Sequence, residues 1–208
     1  MDVLEALKWR YAVKKFDENK SLDEVKVTKI LKSVSLTATS MGMQLMSFIV
    51  TDKDQVKQNI LPIAFNQPQI VDSSHLIILC RKDKVIEEDI EEIVNITSNL
   101  RDVEENQLDG YRKMLESTLT MNRQQQITWM ENQVYLAMGN LLTICAVEKV
   151  DACPMEGFDR NKLDELLDLP NKGLRSVLMC PIGFRSDDDK YNGLPKIRRP
   201  NTKLIQKI

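Results

Sequence analysis

Two short ladders of cations stand near opposite ends of this 208-residue chain. One is Arg10, Lys14 and Lys15 in the run Arg10-Tyr-Ala-Val-Lys14-Lys15; the other is Lys196, Arg198 and Arg199. In extended backbone, alternate side chains point the same way, so Arg10, Ala12 and Lys14 share one face, as do Lys196 and Arg198. Such cations can hold an oxyanion, phosphate above all, by charge-assisted hydrogen bonds. A glycine cradle is not available for that work. The chain has 7 glycines and neither G-x-x-x-x-G-K-[ST] nor G-x-G-x-x-G. A third spot is Pro154-Met-Glu-Gly157, where glycine lets backbone approach a ligand closely. Taken alone, basic pairs are as a rule solvated surface, and 154–157 reads as a plain loop.

Other chemistry is poorly supplied. His75 is the sole histidine, beside an apolar run, and reads as a packed side chain or a hydrogen-bonding group at a strand start. One histidine excludes the usual histidine-built metal site and argues against a Ser-His-Asp arrangement, so no metal is expected. Cys80, Cys145, Cys153 and Cys180 match no zinc or redox spacing and read as small buried thiols. A net charge of -2 and 5% aromatic residues leave no footprint for nucleic acid or an anionic membrane. No apolar run is long enough to span a bilayer, and the first residues lack the apolar segment of a secretory signal, so a cytoplasmic location is expected.

The elements that must position these groups follow from periodicity. Val3, Leu4 and Leu7 predict a short amphipathic helix ending near Arg10. Ser21-Leu-Asp-Glu24 reads as a capping box for a helix over about 22–35, with Val25, Ile30, Leu31 and Val34 inward. Strands are expected at 47–51, 74–80 and 174–184, and a short helix at about 53–60. The charged stretch 85–122 predicts helices with indistinct ends, a surface excursion suited to varying a substrate pocket. Residues 127–150 predict one long helix, apolar on most faces from Val134 to Val147, hence buried on all sides or covered by a partner. Asp159 caps a further helix. The basic tail carries little core. Alternating strands and helices indicate a layered α/β or α+β single domain over 1–208.

The three weak signals occur in the order found in the nitroreductase family. RYAVKKFD (10–17) resembles its R-x-[ST]-x-[KR]-x-[FY]-D opening, and TSMGMQLMSFIV (39–50) resembles S-S-x-N-x-Q-P-W-x-F-I-V. FNQPQI (65–70) before SSHLIILC is similar to F-N followed by A-S-H-V-V-V-F, and WMENQVYLAMGNLL (129–142) to W-x-x-x-Q-x-Y-L-x-x-G-N. CPMEGFD (153–159) and GLPKIRRP (193–200) are similar to x-P-[IM]-E-G-[FI]-D and x-L-P-K-x-R. Together the six motifs run from about residue 2 to 200.

The resemblance implies an α+β fold, a central, mostly antiparallel sheet flanked by helices. It also implies an intertwined homodimer with an exchanged C-terminal arm over about 185–208. It implies FMN sites at the subunit interface, NADH or NADPH as donor, and a small flat acceptor such as a nitroaromatic, quinone or flavin, reduced by two electrons in ping-pong turnover. Carried over by position, Arg10, Lys196 and Arg198 hold the phosphate, with Tyr11 and Ala12 beside it. Lys14 approaches the pyrimidine edge, where reduction places negative charge. Asn66 bonds the pyrimidine ring and Gln69 lies near it. Thr39, Ser40 and Gly42 come from the other subunit, and Gln133 lines the site. Pro154, Met155, Glu156 and Gly157 flank the ring, the last two through backbone N–H groups. Met41 borders the substrate. No protein acid or base is required, so no catalytic residue is implied. Departures fall at Ala12 (Ser or Thr in the family), Gln69 (often Lys), Gly42 (Asn) and Leu45-Met46 (Pro-Trp). They bear on the pocket more than on the cofactor. The resemblance leaves open another acceptor on the same fold, an enone or halogenated aromatic, or a flavin-binding, redox-responsive protein without turnover.

Overall fold

A computed structural model describes residues 2–208. Its centre is a four-stranded antiparallel sheet of β1 (Met46–Thr51), β2 (His75–Lys82), β3 (Asp151–Ala152) and β4 (Leu174–Gly183), in the order β1-β2-β4-β3. The continuous apolar run Leu76–Cys80 is explained by helices on both faces, because strand side chains alternate and neither face meets water. Ile77 and Leu79 pack on one side with Val27, Ile30 and Val34 of α2 (Glu24–Val34) and Val134, Leu141 and Cys145 of α7 (Arg123–Val147). Leu76 and Ile78 face the other side, against Val13, Phe16, Ile60, Ile70, Met155 and Leu163. Ile60 and Ile70 sit on α3 (Asp54–Ile60) and α4 (Gln69–Asp72), and Leu163 on α8 (Arg160–Leu166).

The antiparallel layered architecture expected from the sequence is present, with several local corrections. The cap of α2 is Asp23, whose carboxylate accepts from Lys26 N; Ser21 instead turns to Ser74. Val25 is exposed and Val27 is buried, because the inner stripe is Val27, Ile30 and Val34 and Val25, five residues before Ile30, falls off that face. The long helix starts at Arg123, earlier than expected, since Asn122 and Gln125 form a reciprocal capping box. Nor is α7 enclosed on all sides: Tyr135 and Leu136 are open. In α1 (Val3–Trp9) only Ala6 is buried, and Val3, Leu4 and Leu7 face outward. The excursion forms α5 (Glu87–Arg101) and α6 (Asp109–Glu116) over a third core of Met43, Leu45, Ile90, Val94, Leu115 and Met130. The tail ends in one helical turn, α9 (Asn201–Leu204), and no helix of the described residues is long and apolar enough to cross a membrane. All four cysteines are buried and free, as expected; burial pushes Cys80 and Cys145 up to about 12.

Candidate cofactor-binding site

The two ends of the chain meet at the β3 edge of the sheet. The segment after α1 runs extended, with Ala12 bridged to Ala152 and Phe16 to Arg185, and Val13 and Phe16 anchored in the core. Val13 turns into the core, which leaves Lys14 exposed and Arg10 half-buried on the opposite parity; the alternation breaks at Lys14-Lys15, both exposed, before Phe16 is buried. The returning arm is pinned at its root by Arg185. Its guanidinium grips Asp151 at 2.5–2.9 Å and lies over the rings of Trp9 and Tyr11 at 4.3 and 4.5 Å. Asp189 is the second pin. It is buried, and its carboxylate accepts from Lys14 N (2.7 Å), Lys15 N (3.1 Å) and Tyr191 N (2.9 Å). Burial pushes the Asp189 carboxyl up, but these N–H groups overcome it and hold it below the usual carboxylate range. Further on, Lys196 Nζ donates to the Lys8 carbonyl at 2.7 Å, laying the arm across the end of α1.

This path brings Arg10, Lys196 and Arg198 together. Burial lowers the Arg10 guanidinium's pKa and the nearby Arg198 lowers it further. Lys196 is likewise lowered by burial, then by Arg10, Arg198 and Arg185. Like charges that depress one another have not been neutralised by carboxylates. The fold thus places three cations near one another with no carboxylate between them, an arrangement that could accept an anion.

Beside this cluster, Lys14 borders a cleft of about 620 Å³ shared with Gln67, Gln69 and Tyr191. Its ammonium lies 3.5 Å from the Cys153 thiol, which burial raises and Lys14 partly lowers again. Gln69 is buried and donates to Gln67, which donates to the Gly157 carbonyl at 2.8 Å, so the 65–69 and 153–157 loops are tied together. Asn66 is exposed and, like Phe65, is left-handed, at φ 57° and 55°. Met155 is held in the core by backbone pairing with Met179, and Pro154 precedes it half-buried. The Glu156 carboxylate accepts from Tyr135 Oη at 3.0 Å, while the N–H groups of Glu156 and Gly157 have no acceptor among the described residues. Tyr11 Oη is buried without a partner, and burial followed by Asp189 pushes its pKa to about 12.

A second group is built elsewhere on α7. Gln133 Oε1 accepts from Ser40 N at 2.7 Å, and Thr39 Oγ1 accepts from Gln44 N at 3.1 Å. Met41 is left-handed at φ 54°, and its carbonyl accepts from Tyr111 Oη of α6 at 2.8 Å; Gly42 follows at φ 71°. Strained non-glycine backbone of this kind concentrates at functional segments. No hydrogen bond joins this group to the Arg10–Lys14 group among the described residues. Sequence reasoning missed Asp189, Tyr111, Tyr135 and Gln67. In Asp187-Asp188-Asp189 nothing local distinguishes the buried carboxylate from its exposed neighbours.

A layered α+β fold with three clustered cations beside a ligand-sized cleft defines the class. The model of the Nitroreductase family matches residues 7–184, and the chain belongs to that family. It is similar to an oxygen-insensitive NAD(P)H nitroreductase of Salmonella typhimurium, at 30% identity over 96% of each chain. It is also similar to a major NAD(P)H-flavin oxidoreductase of Aliivibrio fischeri, at 29% identity over 95% of this chain and 94% of the other. By these relationships it is an enzyme of the nitroreductase type. Among solved structures, a nitroreductase-like protein of Streptococcus mutans superposes with TM-score 0.85 at 20% identity, covering 99% of this chain and 97% of that one. A chain from Exiguobacterium sibiricum solved in complex with FMN superposes with TM-score 0.84 at 21% identity, covering 100% and 98%.

Proposed function

We propose that this protein is an FMN-dependent NAD(P)H oxidoreductase that reduces small flat acceptors, nitroaromatics, quinones or flavins, two electrons at a time. The observation that carries this reading is the un-neutralised convergence of Arg10, Lys196 and Arg198 beside the Lys14 cleft. The FMN-bound neighbour of the same fold and the flavin-linked relative support it.

The residues fit the cofactor. Three cations suit a phosphate dianion. Glu156 and Gly157 offer free N–H groups, and a Cβ on Gly157 would sit 3.2 Å from Gln67 Nε2, so glycine keeps that approach open. Arg10, Lys196 and Arg198 hold the phosphate, with Tyr11 and Ala12 alongside. Lys14, Asn66, Gln69, Pro154, Met155, Glu156 and Gly157 surround the ring. When bound, FMN supplies the two-electron chemistry, taking electrons from NADH or NADPH and passing them to the acceptor. The protein orients the ring and supplies fixed positive charge: Lys14 faces the pyrimidine edge, positioned through its own backbone N–H by Asp189.

Each site is completed by a second copy of the chain, whose Thr39, Ser40, Met41, Gly42 and Gln133 close the cleft. Supporting this, α1, α7 and the arm all leave apolar side chains open, among them Leu4, Leu136, Leu194, Ile197 and Ile205. Exposed apolar surface on this scale marks an interface.

The purified protein is expected to show a flavin absorption spectrum that bleaches directly on anaerobic addition of NADH or NADPH. A colourless protein that takes up no added FMN overturns the proposal. Lys14→Met is expected to weaken FMN retention or slow its reduction by roughly tenfold or more, the worth of one charge-assisted contact. Unchanged retention and unchanged rate would remove Lys14 from its assigned place.

A further inference from the structure

A single histidine argues against a histidine-rich metal site, but the fold supplies two carboxylates around it. In the β1/β2 register Thr51 faces Leu76, which sets Asp52, one residue on, opposite His75. Glu24, the first residue of α2, comes over the same point, held there by the Asp23 cap. His75 is 5% exposed, and its Nε2 makes no hydrogen bond; it points at Glu24 Oε1, 3.7 Å away. One ligand atom from each of Glu24, Asp52 and His75 lies within 4.8 Å of the other two.

We propose that Glu24, Asp52 and His75 bind a first-row divalent cation, Zn²⁺ being the best match. A ligand distance of about 2.0–2.2 Å places the donors of a tetrahedral ion roughly 3.4 Å apart. The Glu24 and Asp52 side chains are exposed and can close the remaining gap by rotation, while the buried imidazole stays fixed. The other imidazole nitrogen is already oriented. Nδ1 lies 2.8 Å from Ser74 Oγ, which also accepts from Leu22 N at 2.8 Å and lies 3.4 Å from Ser21 Oγ. With Nδ1–H donated to Ser74 and the Ser74 hydroxyl proton given to Ser21, Nε2 presents its lone pair to the ion. A hydrogen bond behind a ligating histidine is how proteins fix the metal-binding tautomer. Two carboxylates neutralise the dication. Imidazole selects against Mg²⁺ and Ca²⁺, and the absence of thiolate leaves a site of mixed N,O donors with room for water. None of the three residues lines the Lys14 cleft. The ion would clip the start of α2 to the adjacent ends of β1 and β2.

The test is calorimetric titration of the metal-stripped, untagged, flavin-loaded protein with ZnCl₂, with melting temperature as a second readout. One Zn²⁺ per chain is expected, with a melting temperature that rises as zinc is added. Glu24→Gln and Asp52→Asn are expected to weaken binding about tenfold or more each, and His75→Gln to abolish it. Glu24 and Asp52 are exposed, so their variants decide the matter even if the buried His75→Gln fails to fold. Binding that is absent in the parent protein, or undiminished in both carboxylate variants, overturns the site and leaves a simple His75–Glu24 pairing.

Discussion

The Arg10→Ala/Arg198→Ala double variant is expected to bind FMN at least about 100-fold more weakly than the parent, with no comparable loss of fold. A hydrogen bond to a charged group contributes about 1.5–3 kcal/mol, so two lost phosphate contacts come to roughly 3–6 kcal/mol, and every 1.4 kcal/mol is tenfold. The two effects will not add fully, because removing one cation relieves the repulsion on the rest. The same repulsion predicts the control. Arg198 is exposed and its guanidinium donates only to the neighbouring Ile197 carbonyl, so the apoprotein of Arg198→Ala should melt no lower than the parent. Arg10 is half-buried, so Arg198→Ala is the cleaner single variant. Recovery of flavin fluorescence on dilution measures the affinity directly. A fall of less than about threefold in the double variant would show that the phosphate is held elsewhere.

The second large effect belongs to Asp189, which touches no ligand in this reading. Asp189→Asn keeps the shape but turns a charged acceptor of three N–H groups into a neutral one whose own amide protons must face the same donors. A stability loss of about 2–4 kcal/mol is expected, together with weaker FMN binding, because Lys14 and the root of the arm lose their common anchor. Chemical denaturation at neutral pH measures the first. Acid gives an independent check. The folded carboxyl is held below its ordinary value, so its contribution is complete above the unfolded value and is lost as pH falls through the folded one. Parent and variant should therefore converge in stability as the pH is lowered below about 4. A constant gap across that range would mean that the Asp189 charge is not what holds the loop.

Sequence and structure divide this protein along a physical line. The run Leu76–Cys80 is apolar at every position and β-branched at its centre, so its strand, buried on both faces, was legible without neighbours. The body of the long helix was legible over 127–147 from its length and its apolar run, though its true start at Arg123 was not, and the nitroreductase family was legible from six motifs in order. The basic ladders marked where charge is concentrated. These are properties of short segments, and short segments carry them.

What the sequence could not state was distance between remote segments. Arg10 and Lys196 are nearly the whole chain apart, and only the pins at Asp151–Arg185 and Asp189–Lys14 lay one beside the other. The left-handed Met41 depends on a tyrosine hydroxyl 70 residues away. The lone His75 gained its two carboxylates from a strand end and a helix start that the sheet register and one cap bring together. Periodicity and local propensity are fixed by neighbours along the chain. Which cations share a place, which carboxylate is buried and what a histidine faces are fixed by packing, and only the folded protein decides them.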